Sequence, residues 1–217
     1  MRFGIDLDGV LGDFGAEVVK VGNSLWPGKF PIGFVPDNWD YEGFLTAGEW
    51  AQIWVKIKST PYFWNDESAL VGVEELQNYL NPEPIQIGPN TWRSTLQRED
   101  EIFFVTARAV TVGDSPLVQS SHWLQSYGLW PRDGRSVVLP VADASHKADL
   151  IKALDIPYFL DDYAPTVDNL NRIESIQAYV LDQPWNRYAS HLPRVFSVAE
   201  YLDTIRSLDA SRVQKLR

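Results

Sequence analysis

The chain opens with a short apolar run, residues 2–7, that leads into a glycine turn and reads as a β-strand. Residues 13–25 then follow a helical period, with Phe14, Val18, Val21 and Leu25 on one side. Between 26 and 64 the pattern loosens into Pro, Gly and aromatic residues, loop-like except for a helix expected over 49–57. A further helix is expected over 67–80, ending before Asn81-Pro82. In 83–98, Ile85-Gln86-Ile87 and the stretch from Trp92 to Leu96 alternate around Gly88-Pro89-Asn90, which suggests a hairpin.

From residue 101 the rhythm becomes regular. Residues 101–107 (EIFFVTA) are nearly continuously apolar, as suits a strand covered on both faces. Asp114-Ser115-Pro116 starts a helix that runs to about Tyr127. Strands over 136–140, 158–162 and 178–182 alternate with a helix over 145–154 and a last helix from Ser197, where Ser197 and Glu200 have capping-box spacing. Strands alternating with helices predict an α/β fold with a doubly wound parallel sheet. The long section after the first strand breaks that rhythm. It is expected to be a small, mainly helical cap over 15–80, with 1–14 and 81–217 forming the core domain.

Composition narrows the picture. The chain has 217 residues, 45% of them apolar, enough for one sizeable core with an inserted unit. It has no apolar run of about 18 residues and no signal-peptide pattern at its start. Cysteine is absent, which removes disulfides, thiolate zinc sites and cysteine nucleophiles and fits a cytoplasmic protein. A net charge of -10 argues against a stable nucleic-acid partner but leaves room for a small anion held by a metal. Nine tryptophans offer either core packing or walls for a flat ligand.

In a parallel α/β sheet, ligands bind at the carboxyl ends of the strands. Three expected strand ends carry chemistry: residues 5–9 (IDLDG), 105–108 (VTAR) and 159–162 (FLDD). Strand alternation places Asp6 and Asp8 on one side. Adjacent carboxylates repel unless a cation lies beside them, and magnesium prefers hard oxygen ligands. Asp161-Asp162 can add a third carboxylate. Phosphoryl transfer needs a nucleophile, charge neutralisation and a proton for the leaving oxygen. Asp6 suits the nucleophile, Asp8 the acid and base, Thr106 a donor to phosphoryl oxygens, and Lys147 a fixed positive charge. Each motif alone is weak; their order and placement at element edges carry the reading.

These residues resemble the four motifs of the haloacid dehalogenase-like hydrolases: IDLDGV (5–10), FFVTAR (103–108), Lys147 and FLDD (159–162). The resemblance implies a Rossmann-like core with an inserted cap. It also implies magnesium held by the Asp6 side chain, the Asp8 main-chain oxygen and one acid of the last motif, taken here as Asp162 with Asp161 as support. Aspartate at position 8 favours phosphatase chemistry over dehalogenation. A narrower resemblance, through residues 6–14 (DLDGVLGDF), VTAR and 181–187 (LDQPWNR), is to the 5'(3')-deoxyribonucleotidases. It implies a nucleoside monophosphate as substrate, with an aromatic cap around the base. Candidates for phosphate or substrate contact are Gly9, Phe14, Thr106, Ala107, Arg108 and Lys147, with Trp39, Phe44, Trp50, Trp54 and Trp64 as cap aromatics.

Other residues have competing roles. Arg108 is evenly divided between gripping phosphate and pairing with an acid. Gly12 either lets the backbone approach a ligand or serves an ordinary loop. His122, His146 and His191 show no ligand spacing, and His146 is expected at an exposed helix start. Asp182 is expected to pair with Arg187 or a backbone amide, and Asp13 to cap the first helix. The expected partner is a small phosphate ester with no membrane involvement. A homodimer through the cap stays open, although no heptad pattern appears. Competing functions are a phosphatase for a sugar phosphate or a polynucleotide end, and a metal- and nucleotide-binding module without turnover.

Overall fold

The computed structural model describes residues 1–80, 85–88, 91–93, 100–130 and 136–215. Six strands among these residues form one parallel sheet: β1 (Arg2–Ile5), β4 (Glu101–Thr106), β5 (Ser136–Pro140), β6 (Tyr158–Asp161), β7 (Gln177–Leu181) and β8 (Arg194–Val195). Their spatial order is β5-β4-β1-β6-β7-β8, and every pairing is parallel. β1 therefore lies inside the sheet, between β4 and β6. The chain order reverses direction at β1, which opens a crevice at the carboxyl ends of these three strands.

Side-chain alternation explains why the four central residues of EIFFVT are all apolar. Ile102 and Phe104 enter one apolar cluster, while Phe103 and Val105 enter another on the opposite face. The first cluster is completed by Trp123 of α4 (Pro116–Ser126), Val73 and Leu76 of α3 (Gly72–Leu80), and Tyr201 and Ile205 of α7 (Val198–Lys215). The second is completed by Ile151 of α5 (Lys147–Ala153) and Val167 and Leu170 of α6 (Ala164–Leu170).

The segment between β1 and β4 builds a third cluster of its own. α1 (Phe14–Leu25) and α2 (Ala47–Ser59) pack through Phe14, Val18, Val21, Ile53 and Ile57. Phe30, Tyr41, Phe63 and Trp64 fill the remaining space. Asp13 caps α1 by accepting the Ala16 N–H at 2.9 Å, and Thr46 and Glu49 make a reciprocal capping box on α2. Packing thus divides 15–80 in two: residues up to Trp64 surround the third cluster, whereas α3 joins the sheet's own core.

Two sequence expectations need adjustment. The helix foreseen over 67–80 begins only at Gly72, because the preceding residues run extended beside the loop after β1. Asp13 N–H donates to Ser68 O, and Leu70 N–H donates to Leu11 O, both at 2.7 Å. At α7, Ser197 Oγ accepts the Glu200 N–H at 3.0 Å, but the Glu200 carboxylate reaches the Phe196 N–H instead of closing the box on Ser197. The short strand β8 was not foreseen. Within 83–98, β2 (Ile85–Gly88) and β3 (Thr91–Arg93) form an antiparallel pair, and the remainder lies outside the described residues. No helix among the described residues is long and apolar enough to cross a membrane.

Phe104 is fully buried, whereas Phe196 is 71% exposed. Phe104→Ala is expected to cost about 3–5 kcal/mol in urea unfolding. Phe196→Ala should stay within about 0.5 kcal/mol. Equal effects would contradict this description of the core.

Candidate active site

The sheet delivers four acids to one place. Asp6 follows β1 and extends its pairing, since its N–H donates to Leu160 O of β6 at 2.9 Å. Asp8 lies two residues on, in a loop closed by the N–H groups of Val10, Leu11 and Gly12 on Leu7 O. Gly9 makes that turn with φ of 78°, and a Cβ there would overlap the Asp162 carboxylate. Asp161 ends β6 and Asp162 follows it. Carboxylate oxygens of Asp6, Asp161 and Asp162 all lie within 4.8 Å of one another, and all three residues are buried.

Lys147, the first residue of α5, reaches into this cluster. Its Nζ donates to Asp6 Oδ2 at 2.6 Å and to Asp161 Oδ2 at 2.8 Å. Burial alone would make this ammonium easier to deprotonate, but Asp161 and Asp6 more than offset that and hold it charged. Asp6 also accepts the Leu7 N–H at 2.7 Å. Burial nevertheless pushes the Asp6 carboxyl up to about 8. Lys147 opposes that shift, while Asp161 and Asp8 add to it. Burial likewise raises Asp162 well above the carboxylate range, with Asp161 and Asp6 adding repulsion.

Donor availability separates the two acids after β6. Both Asp161 oxygens are engaged, Oδ2 by Lys147 and Oδ1 by the Tyr163 N–H at 2.8 Å. Asp162 Oδ2 accepts from Trp185 Nε1 at 2.8 Å, and its buried Oδ1 has no hydrogen-bond partner. A buried carboxylate oxygen without a partner, beside two further carboxylates, is what a hard divalent cation would satisfy. The donor set therefore fits magnesium.

Asp8 faces elsewhere. Its carboxylate accepts Thr106 Oγ1 at 2.9 Å, Arg108 Nη2 at 2.7 Å and Arg108 Nε at 3.0 Å. Arg108 was considered for phosphate contact, and here the structure corrects that expectation. Its side chain is wholly buried and shared between Asp8, Glu67 and Ser120 Oγ. Its face lies against the rings of Trp64 and Trp123. Burial disfavours the charged guanidinium, yet Asp8 and Glu67 keep it firmly protonated. Thr106 is fully buried as well, with its hydroxyl turned to Asp8.

A cavity of about 390 Å³ opens in front of Asp6, Asp8, Lys147 and Asp162. Ala107, Asp143 and Tyr163 line it from the core; Trp39, Asp40 and Trp54 line it from the insert. Of the expected cap aromatics, only Trp39 and Trp54 reach the cavity. Phe14 is also corrected: it is buried behind them, its ring 5.6 Å from Trp39, 5.7 Å from Trp54 and 5.8 Å from Trp64. Its place on the buried face of α1 is the reason. Trp64 is buried and anchors the insert through Nε1 on Ala109 O at 2.9 Å. Phe44 and Trp50 pack within the third cluster.

Sequence reasoning missed several supports. Gln183 Nε2 donates to Gly9 O at 2.9 Å, and Asn186 Nδ2 donates to Asp162 O at 2.8 Å. Together with Trp185 they turn the segment after β7 into a brace for the acid loop. The distinctive LDQPWNR string signalled this region without revealing its contacts. Glu67, fully buried against Arg108, carried no signal at all. Asp182 pairs with Arg187 at 3.1 Å and with Arg194 at 2.8 Å. The three histidines are exposed and separate.

Raised carboxyls favour the folded state at low pH, and that advantage disappears as pH rises to about 8 for Asp6. A divalent cation competes with those protons. Magnesium should therefore raise the thermal midpoint more at pH 8 than at pH 5, and Asp162→Asn should remove most of the difference. A larger shift at pH 5, or an undiminished one in Asp162→Asn, would contradict the cluster as a cation site.

No family model and no curated protein matches this sequence. A search of solved structures matches a haloacid dehalogenase-like family hydrolase from Xanthomonas campestris. The identity is 14%, with 99% of this chain and 98% of that chain covered and a TM-score of 0.50. At that identity the likeness concerns the fold: the six-stranded parallel sheet with its flanking helices is the haloacid dehalogenase-like fold.

Proposed function

We propose that this chain is a magnesium-dependent phosphomonoesterase acting on a small phosphate ester, with nucleoside monophosphates as its preferred class. One observation carries the reading: Asp6 lines the cavity, inside a buried acidic cluster balanced by Lys147, with an unpartnered Asp162 oxygen beside it. This is an arrangement for holding a cation and a phosphoryl group together.

An Asp6 carboxylate oxygen attacks phosphorus, and the bond from phosphorus to the leaving oxygen breaks. Asp8 gives that oxygen its proton, so the alcohol leaves neutral. The aspartyl phosphate is then attacked by water. Asp8 takes the water's proton, the bond to Asp6 breaks, and inorganic phosphate departs. Lys147 keeps Asp6 oriented and lowers the cost of the negative charge around it. Magnesium, when bound by Asp6 and Asp162, supplies positive charge against the phosphoryl oxygens and favours the ionised form of Asp6.

The cavity walls support the substrate class. Trp39 and Trp54 supply flat apolar faces, and Tyr163 lies 6.0 Å from the Trp39 ring. Such faces suit stacking on a nucleobase. Asp40 and Asp143 also line the cavity, and Lys147 is the single cation among the lining residues described. Additional phosphate groups would meet negative charge there, so monophosphates are favoured over diphosphates.

Phosphate release from nucleoside and sugar monophosphates, with and without magnesium, tests this reading. Activity should require magnesium and favour nucleoside monophosphates over their diphosphates. Asp6→Asn should lower kcat by about a thousandfold or more while leaving the circular dichroism unchanged. An active Asp6→Asn protein would overturn the nucleophile. Trp39→Ala should raise KM for nucleotides by about tenfold, from the loss of stacking, and leave that for a sugar phosphate nearly unchanged. Parallel losses on both would count against a stacked base.

A further inference from the structure

Glu67 does not line the cavity, yet it is 1% exposed and bound to the group that grips Asp8. Arg108 Nη2 bridges the two acids, contacting Asp8 Oδ1 at 2.7 Å and Glu67 Oε2 closely. Arg108 Nη1 donates to Ser120 Oγ at 3.2 Å, and the guanidinium carbon lies 4.8 Å from the Trp64 ring centroid. Polar partners on three sides and an aromatic face leave the guanidinium one orientation. In that orientation its Nε–Nη2 edge meets Asp8.

Glu67 is itself fixed by the backbone around it. Its carbonyl accepts Trp123 Nε1 at 2.8 Å. The next residues form the strap that returns the chain from the insert to the sheet, bonded to residues 11–13 through Ser68 and Leu70. Gly12 lies against the Glu67 carboxyl, where any Cβ would overlap it. Glu67 Oε1 has no hydrogen-bond partner. A buried ion pair is weak evidence for stability, because apolar residues replacing the whole pair often serve the fold as well. The placement is better suited to setting Arg108 than to holding the core together.

We infer that Glu67 is a positioning residue for Asp8, acting through Arg108, and that it ties the aim of the Asp8 carboxylate to the strap joining insert and sheet. The inference rests on the phosphatase reading, in which Asp8 protonates the leaving oxygen. A good leaving group such as dinitrophenolate departs without a proton, whereas an alkoxide needs one. Mis-setting Asp8 must therefore penalise alkyl esters selectively, which a general loss of structure would not do.

The test compares kcat/KM for a nucleoside 5'-monophosphate and for 2,4-dinitrophenyl phosphate, both with magnesium. Glu67→Gln is expected to lose about a hundredfold on the alkyl ester and little on the aryl ester, with kcat rather than KM carrying the loss. Ser120→Ala, a milder change at the other anchor of Arg108, is expected to show a smaller loss with the same bias. Glu67→Asp, which keeps the charge but shortens the reach to Arg108, is expected to show the same bias and decides the matter if Glu67→Gln does not fold. Equal losses on both esters, or none on either, would overturn the role of Glu67 and leave the phosphatase reading standing. A native chain inactive on both esters would overturn that reading and this inference with it.

Discussion

Burying charge at the carboxyl edge of the sheet is the constraint on which this structure turns. Asp6, Asp8, Glu67, Asp161 and Asp162 are all buried, and the cations buried among them are Lys147 and Arg108. Carboxylates removed from water are costly unless paired and hydrogen-bonded. Lys147 serves Asp6 and Asp161, Arg108 serves Asp8 and Glu67, and Asp162 receives only the Trp185 indole N–H. Burial, with repulsion from the neighbouring carboxylates added to it, accounts for the raised Asp6 and Asp162 carboxyls. The remaining negative charge leaves a defined opening for a cation.

Much of the surrounding architecture serves to keep those groups in place. β1 is bonded on both edges, so the backbone that carries Asp6 cannot shift without disturbing β4 and β6. The loop holding Asp8 is closed on Leu7 O and braced from the far side by Gln183. The insert is not a loose flap on this framework. Trp64 binds both Ala109 and Gln119, and Trp39 spans the cavity to Tyr163 and Trp185. Aromatic packing thus forms the roof over the acids and fixes Arg108 beneath them.

The two cations hold opposite positions relative to the cavity. Lys147 lines it and donates to Asp6. Arg108 lies outside it, against Asp8. Such a division lets the two carboxylates of one short motif behave differently. Asp6 stays close to a charge that can be matched by a metal, and Asp8 is aimed by a rigid planar fork.

The sequence by itself determined the alternating strands and helices, the interrupting insert, and the convergence of Asp6, Asp8, Thr106, Lys147 and Asp161-Asp162 on one edge. Strand period and strand-end position are local properties, and the rule that parallel sheets bind ligands at their carboxyl ends turns them into a place. Tertiary structure decided the partnerships. Whether Arg108 meets phosphate or Asp8, whether Phe14 lines a cavity or lies behind Trp39, and which of two adjacent acids keeps a free oxygen all depend on residues far away in the chain. Glu67, 41 residues from Arg108, is the clearest case. No period or spacing marks a lone carboxylate for burial, because its partner is supplied only when the strap folds back beside the first loop.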